Sequence, residues 1–139
     1  MADTSPAKKL GIKPGHKLLI MSAPEGYISR LDPLPEGADV FDRLPPGEEG
    51  TFDFVHVFAQ NRADVERHAP EALQALKPGG LLWFSYPKGS SKVKTDISRD
   101  KGWESITGAG MEIIAQVSID DTWSAGRFRP SADVKSRKA

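Results

Sequence analysis

The sequence predicts a three-layer α/β sandwich built on a six-stranded, mostly parallel sheet that ends in an antiparallel hairpin. Three observations lead there. Short apolar runs of strand length alternate with amphipathic or polar stretches of helix length. The run 52–59 carries apolar side chains at both odd and even positions, the pattern of a strand covered by helices on either side. Near the C-terminus, two strand-like runs are separated only by Asp120-Asp121-Thr122, a connection too short for anything but an antiparallel pair. The 139 residues leave room for one domain, expected over 1–130. A chain of this length buries about two thirds of its unfolded surface, enough for a core without disulfides or a structural metal.

Each element has a local reason. Ser5-Pro6 starts a short helix, because serine accepts a bond from an early backbone N–H and proline is preset for the first helical position; Gly11 closes it. Residues 16–21, His-Lys-Leu-Leu-Ile-Met, form the first strand, which ends in the tight loop Ser22-Ala23-Pro24-Glu25-Gly26. One or two helical turns over 27–31 stop before Pro33 and Pro35, and 38–41 is a short second strand. Residues 43–50, with Pro45-Pro46-Gly47, form a solvated loop. In the third strand, 52–59, Phe52, Phe54, His56 and Phe58 are expected on one face and Val55, Val57 and Ala59 on the other. Asn61 caps the next helix, in which Val65, Ala69, Ala72, Leu73 and Leu76 recur at helical spacing; Pro70 should kink or split it. Lys77-Pro78-Gly79-Gly80 ends that helix, 81–86 is the fourth strand, and the crossover should be right-handed. A basic loop over 87–94 leads to an irregular helix, 95–108, containing Trp103 and Ile106. Strands at 111–119 and 123–129 complete the hairpin, giving an expected sheet order of 2-1-3-4-6-5, and 131–139 is a polar tail expected to be disordered.

Composition excludes several functions. With 19 basic and 19 acidic residues the chain has no net field to hold nucleic acid or an anionic membrane. The absence of cysteine removes disulfides, thiolate metal sites and cysteine nucleophiles together. The three histidines share no metal-ligand spacing. The longest apolar runs, such as 18–21 and 81–84, fall far short of the roughly 18 residues that span a bilayer, and MADTSPAKKL lacks the apolar stretch of a signal peptide, so a cytoplasmic location is expected. Ser85 follows a strand, as nucleophiles do, but Trp-Phe-Ser-Tyr-Pro lacks the glycines of a nucleophile elbow. His56, between Val55 and Val57 on a central strand, reads as a buried, hydrogen-bonded ring rather than a base. Trp83 and Trp123 read as core anchors.

The segment Lys77-Pro78-Gly79-Gly80-Leu81-Leu82-Trp83-Phe84, preceded by Phe52-Asp53-Phe54-Val55 and followed by the hairpin, resembles the second half of a class I methyltransferase fold, which is Rossmann-like. Over roughly 10–129 the chain also resembles a bacterial family of unknown function, number three-zero-five-two among such domains. That likeness runs through Leu10-Gly11-Ile12-Lys13-Pro14-Gly15, Ala23-Pro24-Glu25-Gly26, Trp83-Phe84-Ser85-Tyr86-Pro87-Lys88, Ser91-Lys92-Val93-Lys94-Thr95-Asp96 and Asp121-Thr122-Trp123-Ser124. The resemblance implies a compact, degenerate methyltransferase-like fold and brings no established reaction.

In open α/β sheets ligands settle beyond the carboxyl ends of the strands, where strand order reverses. S-adenosylmethionine enzymes place a glycine-rich turn after the first strand, whereas Ser22-Ala23-Pro24-Glu25-Gly26 has one glycine and a rigid proline. The favoured reading is therefore a non-catalytic binding protein without a cofactor. It would take a small anionic molecule at Ala23, Pro24, Glu25 and Gly26 together with Lys88, Ser90, Ser91, Lys92, Lys94, Thr95 and Asp96. Lysine charge, serine donors and a helix start near Thr95 would all favour an anion there. One alternative is a methyltransferase with a nonstandard cofactor loop using Glu25 and Asp42, the latter 21 residues after Met21 and so near the usual ribose-carboxylate spacing. Another is a protein-interaction module.

Overall fold

The computed structural model describes residues 10–24, 26–31, 34–88, 95–97, 101–119 and 122–130. At its centre is β3 (Phe52–Phe58), buried at every position but Asp53. A strand without a polar face needs cover above, below and on both edges. Its edges pair in parallel with β1 (Lys17–Met21) and β4 (Leu76–Pro87), Val55 standing beside Leu19 on one side and Leu82 on the other. The short β2 (Asp39–Phe41) pairs in parallel with β1. Beyond β4, β6 (Trp123–Pro130) runs antiparallel, and β5 (Met111–Ser118) pairs antiparallel with β6. The order β2-β1-β3-β4-β6-β5 is the one expected from the sequence.

Two apolar layers cover the sheet. On one face, α2 (Arg62–Ala75) lays Val65, Ala69, Ala72 and Ala75 against Leu19, Val55 and Val57, beside Trp103 and Ile106 around the single turn α3 (Glu104–Thr107). On the other, Tyr27 of α1 (Tyr27–Arg30) joins Leu10, Ile12, Leu18, Ile20 and Leu31 over Phe54, Phe58 and Trp83. Each fully buried Leu, Ile or Phe contributes about 1.5–3 kcal/mol. Asn61 caps α2 as expected, its side-chain oxygen accepting from the Asp64 N–H at 2.9 Å. Among the described residues no helix is long and apolar enough to cross a membrane.

Three local expectations are corrected. Pro70 does not split α2, which runs unbroken from Arg62 to Ala75. Pro70 and Glu66 both lie on the exposed side, where a carbonyl left without a donor is open to solvent, while the buried alanines hold the helix to the sheet. Phe52 joins the cluster of Val55 and Val57, not that of Phe54 and Phe58. The cause is a shift in register: Phe52 faces Leu76 whereas Phe54 faces Leu81, so the segment 77–80 is an irregularity inside β4 and not a loop before it. Among the described residues of 95–108 the helix is the single turn Glu104–Thr107, and Gly102 at φ 98° has a conformation that no α-helix continues through. The expected N-terminal helix, apart from Leu10, and the expected tail lie outside the described residues.

His56 is buried as the sequence suggests, with Tyr27 Oη 3.0 Å from Nδ1 and Ser85 Oγ 2.6 Å from Nε2. A neutral imidazole has one donor and one acceptor nitrogen, so one hydroxyl donates to the ring and the other accepts from it. Burial lowers its pKa from 6.5 to about 3. Between those values the unfolded chain binds a proton that the native ring refuses, so this contribution to stability is complete above pH 6.5 and lost as pH falls toward 3. The expected slope is about 1.4 kcal/mol per pH unit inside that window. The His56 ring C–H resonances should show no titration between pH 8 and pH 5; a midpoint near 6.5 would mean that the ring is solvated.

Candidate functional site

A recess among the described residues opens just past the carboxyl ends of β1 and β2, with a volume of about 1000 Å³. Ile20, Val40 and Phe41 supply apolar wall from the two strands, and Pro45 and Pro46 supply it from the connection between β2 and β3. Asp42 and Arg43 stand at its rim. The recess exists because β2 stops after three residues and the chain then returns to β3 as an extended, proline-stiffened loop. That loop is tied down along its length. The Leu44 N–H donates to Glu71 Oε2 at 3.1 Å, the Gly50 N–H donates to the Gln74 carbonyl at 2.8 Å, and the Lys17 ammonium binds both Glu48 and Thr51.

On the β1 side, Ser22 adopts φ 59°, the left-handed conformation that glycine normally takes. It is the one non-glycine residue at positive φ among those described. A serine held this way carries strain that surrounding contacts must offset. Its Oγ lies 3.1 Å from His68 Nε2 on α2, and the following turn is closed by the Tyr27 N–H donating to the Pro24 carbonyl at 3.1 Å. Partial burial, followed by the Arg67 charge, holds the His68 pKa below its ordinary value, with Asp64 and Glu71 opposing.

The sequence-predicted residues divide between two places. Ala23 and Asp42 share the recess, and Pro24 and Gly26 shape the turn beside it. Asp42 contacts Arg43 at 3.9 Å with its side chain 89% exposed, an ion pair too solvated to hold the carboxylate closed. Lys88 ties the end of β4 to the hairpin, its N–H donating to the Thr122 carbonyl at 2.7 Å and its ammonium to Ser118 Oγ at 2.6 Å. Thr95 Oγ1 accepts from the Ile97 N–H, and Asp96 Oδ1 accepts from the Arg62 N–H at 2.8 Å, so Asp96 caps the start of α2. The helix start expected near Thr95, which would have aimed backbone donors at an anion, is absent from the described residues around it. Glu25, Ser90, Ser91, Lys92 and Lys94 lie outside the described residues. Among those described, no group of three acidic or histidine side chains is placed to hold a metal.

Sequence reasoning placed Ser22 in the loop bordering the crevice but missed Arg43 and the two prolines as walls of the recess. Arg43 and the prolines come directly after the second strand and were legible by position, but nothing in a serine announces a left-handed backbone. The roles of His68 and Glu71 depend on the docking of α2 across two loops, which no local pattern reports.

No protein-family model matches the chain, and no curated protein does. Solved structures do. A SAM-dependent methyltransferase from Aquifex aeolicus aligns over 87% of this chain and 85% of its own with a TM-score of 0.60 at 13% identity. DhpI, solved in complex with SAH, aligns over 91% and 82% with a TM-score of 0.61 at 13% identity. A ribosomal protein L11 methylase from Lactobacillus delbrueckii subsp. bulgaricus aligns over 88% and 73% with a TM-score of 0.59 at 10% identity. The chain has a methyltransferase-like α/β fold.

The Asp96 cap gives a direct test of whether that residue serves structure or ligand. Replacement of Asp96 by alanine should lower unfolding stability by about 1 kcal/mol in urea, as the loss of a helix cap does. Unchanged stability together with weaker binding of phosphate would assign Asp96 to a ligand site instead.

Proposed function

We propose that the recess at the ends of β1 and β2 binds an adenosine-containing ligand of the S-adenosylmethionine class. The observation that carries this reading is the Asp42 carboxylate, solvent-accessible at the rim of an apolar-walled recess of about 1000 Å³, at the strand ends where this architecture accepts ligands. Asp42 would accept hydrogen bonds from the ribose hydroxyls, and Ile20, Val40 and Phe41 would offer apolar surface to the adenine. One of the similar structures is a SAM-dependent methyltransferase and another, DhpI, is in complex with SAH, which supports this choice of ligand over other nucleosides.

The residues present fit such a ligand in part. Ser22 supplies by its left-handed backbone the sharp bend that a glycine would otherwise make, so the proline two residues later does not by itself close the recess. Pro24 has no N–H to offer, which shifts recognition toward side chains. When bound, S-adenosylmethionine would supply an electrophilic methyl group. The titratable side chains lining the recess, Asp42 and Arg43, are both at the solvent rim. The reading is therefore of cofactor binding, with any acceptor needing only to be held in line with the methyl group and away from water. Kinship with the bacterial family three-zero-five-two belongs to the same proposal and rests on the sequence motifs that carry the resemblance.

Calorimetry with S-adenosylhomocysteine tests it. A competent site should bind in the micromolar range, and Asp42→Ala should weaken binding at least tenfold, about 1.4 kcal/mol or more, as expected for losing hydrogen bonds to a charged group. At a ligand concentration a hundred times Kd, stability should rise by about 2.7 kcal/mol. No heat and no shift in Tm at millimolar nucleoside would reject this reading. A response to inorganic phosphate in place of the nucleoside would favour the anion site expected around Lys88.

A further inference from the structure

The two lips of the recess come from segments distant in sequence, the turn at Ser22 and the loop at Leu44, and both are bonded to one helix. His68 Nε2 reaches Ser22 Oγ at 3.1 Å, and Glu71 Oε2 accepts from the Leu44 N–H at 3.1 Å. His68 and Glu71 stand three residues apart on α2, hence in one polar line along it, and a turn further on the Gln74 backbone carbonyl accepts from the Gly50 N–H at 2.8 Å. This polar line flanks the buried stripe of Val65, Ala69, Ala72 and Ala75 that fixes α2 on the sheet. A rigidly seated helix thus presents one contact to each lip.

We propose that His68 and Glu71 are positioning residues that set the width of the recess, acting as a two-point clamp on Ser22 and Leu44. Neither side chain lines the recess itself; each acts through the segment it holds. The clamp explains why a serine keeps a left-handed backbone at the recess wall, since its side chain has a fixed partner that glycine would lack. On the other side, Leu44 lies between the rim residues Asp42 and Arg43 and the wall residues Pro45 and Pro46, so the Glu71 bond positions both. The inference rests on the reading of the recess as a nucleoside site for what it positions, but not for the clamp itself.

Two measurements separate the clamp from that reading. The first needs no ligand: amide hydrogen exchange monitored by NMR in the full chain. Glu71→Ala should speed exchange of the Leu44 amide by about tenfold or more, the loss of a hydrogen bond to a charged acceptor. His68→Ala should speed exchange at Tyr27, whose N–H closes the turn after Ser22 on the Pro24 carbonyl, and His68→Gln, whose amide reaches about as far as Nε2, should restore protection. The second is the affinity for S-adenosylhomocysteine, measured well below each variant's Tm. His68→Ala and Glu71→Ala should each weaken it about fivefold, and the effect of His68→Ala should vanish in a Ser22→Gly background, where the backbone conformation is kept and the partner is gone. Unchanged exchange at Tyr27 and Leu44 would overturn the clamp, as would an effect of His68→Ala that persists undiminished beside Ser22→Gly. If the unsubstituted chain binds no nucleoside, the ligand reading falls, and the exchange rates alone still decide for or against the clamp.

Discussion

The structure depends on one constraint: β3 has no side that water can touch. Phe54, His56 and Phe58 point one way and Val55 and Val57 the other, all buried, so the chain must provide a strand on each edge and a layer on each face. Parallel partners satisfy the edges only if long crossovers carry the chain back across the sheet. Those crossovers are the material of the two layers. The connection from β1 to β2 covers one face with Tyr27 and Leu31, and α2, between β3 and β4, covers the other. Because the crossovers on either side of the β1–β3 boundary cover opposite faces, the carboxyl ends of the strands are left uncovered at that boundary, and the recess opens beside it.

Much of this was legible in the sequence because it arises from patterns that local chemistry enforces. The double-faced apolar run, the Asn61 cap and the short connection at 120–122 each have few structural solutions, and each fixes its own part of the fold. The errors arise where a distant partner decides the outcome. Phe52 changed face because the pairing with β4 slips between Leu76 and Leu81, a fact about two strands that neither contains alone. That slip has its own anchor. Asp53, although burial alone would raise its pKa, is held below the usual carboxylate value by Lys77 and by the Lys17 N–H, which donates at 2.8 Å. Pro70 misled because a propensity against helix is outweighed once four small apolar side chains are pressed onto a sheet. Of the residues expected to contact a ligand, Ala23 and Asp42 line the recess after their strands, whereas Lys88, Thr95 and Asp96 bond to their own chain. A polar side chain in a loop looks the same in sequence whether it faces solvent or a neighbouring backbone.

α2 combines roles usually spread over several elements. Its apolar stripe seats it, its capped N-terminus receives Asn61 and Asp96, and its polar flank receives the β1 turn and the β2–β3 loop. The last role explains how a β2 of three residues persists at the edge of the sheet. Three ladder positions with β1 are a weak hold, and contacts at its C-terminal end and along the β2–β3 loop reinforce it. Phe41 packs edge-on against Phe52 at 5.3 Å between ring centres, while Lys17 stands 4.6 Å from the Phe52 centroid and bonds Glu48 and Thr51 further along the loop. The loop is thus part of the edge's stability, and the recess it borders is as rigid as those contacts.

The opposite wall is registered by a buried polar set. Tyr27, from the turn after β1, meets His56 at the middle of β3, and His56 meets Ser85 near the end of β4, so three elements are joined through one imidazole. Apolar packing alone tolerates small displacements of a short helix such as α1, because its contacts are non-directional. A neutral histidine with a single donor and a single acceptor does not, since shifting Tyr27 would strand a polar atom in a site without water, at a cost of about 1–3 kcal/mol. The set gives α1 one position along the sheet, and with it the turn that runs back through Pro24 to Ser22. The recess is therefore located from two sides by different physics: a solvent-edge clamp from α2 on one, and on the other a dry hydrogen-bond relay whose geometry holds only while His56 stays uncharged.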